Sequence, residues 1–202
     1  VDAQYNLVVA THTINRNDKN ALSAIAMEAK ENLALESFTV LVDKGYHNGR
    51  EIETYKNNNI STIVAVPEQG KSNENGTQPE YFVSNFSYNK ADNTYTCPEN
   101  QVLTTTGSWH KKTGRTEESG YQFQKYRTPK CKECPVKDLC TSRKGGREID
   151  RSQYADAVEE NHQRYKDNPQ RYRKRQEINE HIFGTIKRKW GYNYTDLIGL
   201  EK

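Results

Sequence analysis

Long apolar runs are the first thing this sequence lacks. No stretch approaches the roughly 20 consecutive apolar residues of a membrane-spanning helix, so no membrane partner is expected. Only 33% of the 202 residues are hydrophobic and the mean hydropathy is -1.08, which predicts a modest core and much solvent-facing surface. The opening residues, VDAQYNLVVA, do not read as a secretory leader. Without export, disulfides are disfavoured for the four cysteines, which are absent everywhere except positions 97, 131, 134 and 140. An excess of one charge is also missing. Thirty Lys and Arg stand against 27 Asp and Glu, and the resulting +3 with pI ≈ 8.5 is too mild to identify a nucleic-acid binder by itself. There is no internal repeat. The length suits one ordinary domain plus a sizeable insertion.

What is present begins with an α/β pattern. Residues 5–12 are rich in strand formers and read as a strand. Asn17-Asp18 then supplies an N-cap signal for a helix to about residue 33, with Leu22, Ile25, Ala26, Ala29 and Leu33 at the helical period. FTVLV at 38–42 is an unbroken run, the pattern of a buried parallel strand. A helix over about 50–58 leads to ISTIVAV at 60–66, a second buried strand ending at Pro67. Strand, helix, strand, helix, strand predicts a sheet with crossover connections.

The composition changes at Pro67. Residues 68–79 are rich in Gly, Asn, Ser and Gln and read as a loop. Short β-like runs follow at 81–88, 94–97, 102–108 and 121–126, and helical pattern returns only from about Ser152. Asn168-Pro169 then marks a cap with proline at the first helical position, opening a basic helix. The expected organisation is residues 1–67 as the first part of an α/β domain, 68–152 as a β-rich insertion with all four cysteines, and 153–202 as its helical completion.

Three features carry chemistry. Asp43 follows a buried strand at its carboxyl end, where open α/β sheets gather functional groups. A turn or cap aspartate is the plain alternative, since Asp-x-Gly is ordinary turn chemistry. Gly45 is expected to allow a tight turn there, and Tyr46 to pack back over the acid. The second feature is INEHIFGTIKRK at 178–189, which sets Glu180 seven residues before Lys187, on one side of a helix, with Phe183 and Gly184 between. Between residues 164 and 189 nine Lys and Arg outnumber three Asp and Glu. An acid in a basic surface suits a divalent cation working on a phosphate backbone, while a solvated amphipathic helix is the ordinary reading. The third feature is KCKECPVKDLC. Cys131, Cys134 and Cys140, completed by Cys97, form a set that suits tetrahedral zinc in a weakly cored insertion. An iron–sulfur cluster would use the same ligands, and free thiols need none. His12, His47, His110, His162 and His181 receive no role, His181 beside Glu180 being the nearest exception.

Together, VDAQYNLVVA, VLVDKGYHNG, YTCPENQVL, CKECPVKDLC and RKRQEINEHIFGTIKRKWGY resemble the C-terminal part of bacterial insertion-sequence transposases of the DDE class, in the subgroup with a cysteine-bearing insertion before the last acid. The resemblance covers nearly all of the chain. It implies a ribonuclease-H-like mixed sheet with flanking helices, with Asp43 as the second catalytic aspartate and Glu180 as the glutamate, both ligands of Mg2+ or Mn2+. It implies DNA contacts from Lys187 and Arg175, with Arg173, Arg188 and Lys189 beside them. Tyr172, Arg175 and Glu180 resemble a tyrosine–arginine–glutamate signature, but the Arg175–Glu180 gap is one residue longer. The first aspartate has no clear counterpart. Asp2 is the only early candidate, Asp18 reads as a cap, and the missing acid is expected upstream of Val1, which makes the chain an incomplete fragment.

The implied activity is two-metal-ion cleavage of element ends and their transfer to target DNA. Its partners would be double-stranded DNA and further copies of the chain, and its place the bacterial cytoplasm at the nucleoid. A non-catalytic DNA-binding zinc-module remnant and a nuclease of the same fold are the rival readings.

Overall fold

The computed structural model describes residues 1–12, 22–67, 76–114 and 120–192. The chain divides into two compact units, residues 1–67 with 156–202, and residues 68–155.

In the first unit the described helices and strands are α1 (Leu22–Asn32), β1 (Phe38–Val42), α2 (Gly49–Asn57), β2 (Ile60–Val64), α4 (Ala155–Asp167) and α5 (Pro169–Gly184). β1 and β2 pair in parallel, from Phe38 opposite Ile60 to Val42 opposite Val64, with α2 as the crossover. Four of the five β2 residues are buried, as their continuous apolar run predicts. Ala26, Tyr55 and Ile60 form the core centre, with Leu22, Met27, Phe38 and Val40 packed against it. The helices are tied by polar bonds as well. Asn48 caps α2 by accepting from Arg50 N–H at 3.0 Å, and the buried Glu51 accepts from Ser23 N–H at 2.8 Å, closing the start of α1. The expected Asn17-Asp18 cap lies outside the described residues.

The far edge of β2 is closed by side chains. Asn161 of α4 is fully buried, accepts from Val64 N–H at 3.0 Å and Thr62 Oγ1 at 3.2 Å, and donates to Val64 C=O at 2.9 Å. Arg164 Nε donates to Thr62 C=O at 3.0 Å. One asparagine therefore presents the donor–acceptor pair that a neighbouring strand would offer.

The second unit contains two antiparallel three-stranded sheets. One is β3 (Ser87–Asn89), β4 (Thr94–Thr96) and β5 (Val102–Leu103). The other is β6 (Trp109–Lys112), β7 (Tyr121–Arg127) and β8 (Glu148–Ser152). A bridge between Thr104 and Arg127 joins them. Phe86, Tyr95, Leu103, Tyr126 and Ile149 form the core, with Tyr88, Cys97 and Cys140 at its margin. Tyr126 is wholly buried and donates to Asn93 Oδ1 at 2.6 Å. Burial pushes its hydroxyl up to about 12. Asn93 takes φ +52 at the β3–β4 turn, a left-handed conformation that asparagine tolerates. The short helix α3 (Lys137–Cys140) completes the unit.

Several expectations are corrected. Residues 5–12 form no strand, and Leu7 and Val8 are 64% and 52% exposed, because strand formers need a hydrogen-bonding neighbour. Among the described residues the parallel sheet therefore has two strands. Half of 81–88 is 3-10 turn, with only Ser87 onward in a strand, since Asn85 Nδ2 donates to the carbonyls of Pro79 and Glu80 and holds the chain in local turns. The run at 102–108 shrinks to two strand residues, and β6, β8 and α3 form where the sequence pattern predicts no element. Asn168 stands at the N-cap position of α5, yet its side chain makes no cap; it turns back to donate to Arg164 C=O at 2.9 Å.

Candidate functional site

Because β1 and β2 are parallel, their carboxyl ends share one edge. Asp43 comes directly after the buried Val42 in extended backbone. Its Oδ1 accepts from Lys44 N–H at 2.7 Å and its carbonyl from Tyr46 N–H at 3.0 Å, capping the 3-10 turn Lys44–Tyr46. The turn role foreseen as the alternative is thus present, and it leaves the side chain 54% exposed. Gly45 is dispensable to that turn. It avoids the left-handed region, and a Cβ there would meet nothing within 4 Å.

α5 reaches the same strand ends. Arg175 Nη2 lies 3.7 Å from Asp43 Oδ1, with the arginine side chain only 17% exposed. Its guanidinium carbon stands 5.3 Å from the Tyr172 ring centroid, and Nε is buried without a hydrogen-bond partner. The Tyr172 ring meets Tyr165 edge-on at 4.9 Å, and its hydroxyl hydrogen-bonds the backbone of Ala65, just beyond β2. Burial pushes the Tyr172 hydroxyl up, against the pull of Arg175. A single turn of α5 therefore meets both strand ends, Tyr172 at β2 and Arg175 at β1.

Glu180, five residues further along, is exposed, as are Arg173, Lys187, Arg188 and Lys189. The helix changes character between them. Thr185–Lys189 is a π-helical turn, with Thr185 Oγ1 donating to His181 C=O at 2.8 Å. The sequence expectation that Glu180 and Lys187 share one helical side assumes α spacing throughout. The wider π turn breaks that phase, a device that often accompanies functional sites. Asp2 stays in its own turn, accepting from Tyr5 N–H at 2.6 Å.

His47, to which the sequence assigns no role, ends the turn that Asp43 begins. Burial lowers its pKa below 6.5, with His162 of α4 adding repulsion, and its Nε2 is buried without a hydrogen-bond partner. Only its position four residues after Asp43 hinted at this.

In the second unit, all four cysteines are free thiols. Burial pushes the Cys140 thiol up, against Arg147, and Cys131, Cys97 and Cys134 are near enough to add to the effect. Gln101 N–H donates to Cys97 Sγ at 3.2 Å. Gly146, at φ +91, is required by Cys131, whose Cβ lies 2.3 Å from where a glycine-146 Cβ would sit. Even so, among the described residues no group of three or more His, Cys, Asp or Glu is arranged to hold a metal ion. The thiols have the donor chemistry for zinc but not the gathered geometry, and Asp43 has the oxygen chemistry for magnesium without a set of three acids.

Residues 96–202 match the family model described as the transposase DDE domain, over half of the chain. The chain belongs to the DDE transposase family. No curated protein and no solved structure matches it. The matched span includes the cysteines, Arg175, Glu180 and Lys187, whereas Asp43 precedes it. DDE transposases act on DNA and use divalent metals in general, and the mixed helices and sheets of this chain are consistent with such a domain. No described helix of this transposase is long and apolar enough to cross a membrane.

Proposed function

We propose that this transposase region cleaves DNA at element ends and transfers the strands to target DNA, on a ribonuclease-H-like fold interrupted by the cysteine-bearing segment 68–152. Asp43 and Glu180 are its second and third acids, and a further acid comes from outside the described residues. The observation that carries the reading is the docking of α5, the helix bearing Glu180, on the strand end bearing Asp43 through Arg175 at 3.7 Å. A helix anchored there holds its later turns in a defined direction from Asp43. Divalent ions such as Mg2+ or Mn2+, when bound, would supply activation of the attacking oxygen and stabilisation of the leaving one.

The chain's own residues do the rest. Arg175 neutralises Asp43 and keeps it oriented. Arg173, Lys187, Arg188 and Lys189 meet the phosphates of double-stranded DNA, which positions the duplex without reading its sequence. Binding should therefore weaken steeply with salt. Further copies of the chain complete the assembly that joins two ends. Structural zinc on Cys97, Cys131, Cys134 and Cys140 belongs to the same reading, supported by the donor chemistry of the four thiols and by the electrostatic effect of Cys131, Cys97 and Cys134 on Cys140. Zinc content that is unchanged in Cys131→Ser and Cys134→Ser would refute it.

The catalytic assignment is tested by cleavage and strand-transfer assays with Mn2+, using the chain together with its natural upstream sequence. Glu180→Gln should abolish both reactions while retaining DNA binding. Cutting that persists unchanged would sink the role of Glu180. Cleavage without any strand joining would make the protein a nuclease.

A further inference from the structure

The end of α5 exposes three large rings within ten residues. Phe183 is 53% exposed, Trp190 65% and Tyr192 65%, and among them stand the exposed Lys187, Arg188 and Lys189. Aromatic rings of this size ordinarily bury their faces, and water around them is costly. Here the backbone fixes them outward. The π turn Thr185–Lys189 is followed by Trp190 N–H donating to Thr185 C=O at 3.1 Å and Tyr192 N–H to Ile186 C=O at 3.2 Å. Gly191 lies between them at φ +75, a left-handed conformation that a side chain would strain. Lys187 Nζ sits 5.9 Å from the Phe183 centroid, so ring and cation are already neighbours.

Phosphate contacts alone would need only the cations. The rings add faces of the right size for stacking, and the alternation of ring and cation suits a strand whose bases are unstacked and whose phosphates run alongside. A stacked duplex offers no such bases, because each face is covered by its neighbours. We propose that residues 183–192 bind unpaired nucleotides of DNA, with Trp190 and Tyr192 stacking on bases and Lys187, Arg188 and Lys189 holding the flanking phosphates. The occupant is single-stranded DNA rather than a protein, because the cations match its backbone charge. This deepens the proposed function, since it rests on the same basic segment acting on DNA.

The test compares the full chain binding oligothymidylate with the full chain binding a blunt duplex of equal length, by fluorescence anisotropy across a salt series. Trp109→Phe is used as background so that Trp190 alone reports emission. Trp190→Ala should weaken single-strand binding roughly 5- to 100-fold, with duplex affinity within about twofold and the salt slope unchanged. Trp190→Phe, which keeps a ring, should recover most of the loss. Trp190 emission should be quenched by oligothymidylate more than by duplex. Both rings are exposed, so circular-dichroism melting should not move. Equal losses on both DNAs, no loss on either, or unquenched emission would overturn the proposal. If Lys187→Gln still weakens duplex binding in that event, the broader reading stands while this one falls. Wild-type chain that binds neither DNA overturns both.

Discussion

At the scale of single residues, Asn161 and Arg175 show how polar groups organise the first unit. Asn161 satisfies both backbone groups of Val64 from a fully buried position. Asn161→Ala would leave a buried N–H and C=O without partners, and should cost about 2–5 kcal/mol in urea unfolding. Asn161→Asp should be as damaging, because it loses the donor to Val64 C=O and buries a charge. The Arg175–Asp43 pair is uneven, with the arginine mostly buried and the acid half exposed. Solvent screening on the Asp43 side limits its worth, so Asp43→Asn should cost only about 1 kcal/mol. Arg175→Ala should cost more, since it also removes the guanidinium from the Tyr172 ring. A larger loss from Asp43→Asn than from Arg175→Ala would contradict this ordering. Gly45→Ala should leave stability within about 0.5 kcal/mol, as the added methyl meets open space.

At the scale of elements, α5 combines a fixed end with a free one. Its first turns are held by Tyr172 and Arg175, whereas the residues after Gly184 pass into a π turn with exposed rings and cations. Amide exchange should follow this gradient. Protection is expected to be greater at residues 172–178 than at 185–190, and the reverse order would argue against anchoring by the strand ends. The elements also show what a sequence can reveal. FTVLV and ISTIVAV were legible as strands because continuous β-branched and apolar runs suit a sheet, but only β2 is mostly buried; in β1 Val42 alone is, and residues 38–41 stay half-buried. Residues 5–12 have similar composition but form no strand, because pairing is decided by a neighbour that composition does not contain. Asp43 was legible as a strand-end acid, and Glu180 as an acid in a basic helix. Their relation through Arg175 was not, since it joins residues 132 positions apart (175 minus 43).

At the scale of the whole molecule, acid should act on the two units in different ranges. In the first unit, burial lowers the pKa of His47 and of His162 below their ordinary 6.5. The unfolded chain binds those protons first, so this contribution is intact above about pH 6.5 and is lost as pH falls through the lowered folded values. In the second unit Glu148 is held below its ordinary 4.5, chiefly by the Lys125 hydrogen bond at 2.9 Å and also by Arg143. Its contribution is intact above about pH 4.5 and is lost only as pH falls further. Amide NMR signals of the first unit should therefore weaken at higher pH than those of the second. Glu148→Gln should remove the lower step's dependence on this residue, and a single transition near pH 4 for both units would refute the separation.

The sequence alone determined the α/β character of residues 38–64 and the confinement of the cysteines to one segment, and its motifs carried the resemblance to the family. The first two are properties of local period and residue type, which need no knowledge of what lies across space. Tertiary structure alone decided that α4 closes the edge of β2 through Asn161, that Arg175 rests on Asp43, and that the π turn rephases the basic residues after Glu180. Each depends on groups distant in sequence satisfying one another, or on a backbone choice between nearly equal helical spacings. The energy that settles such choices comes from packing and from the cost of leaving polar groups unpaired.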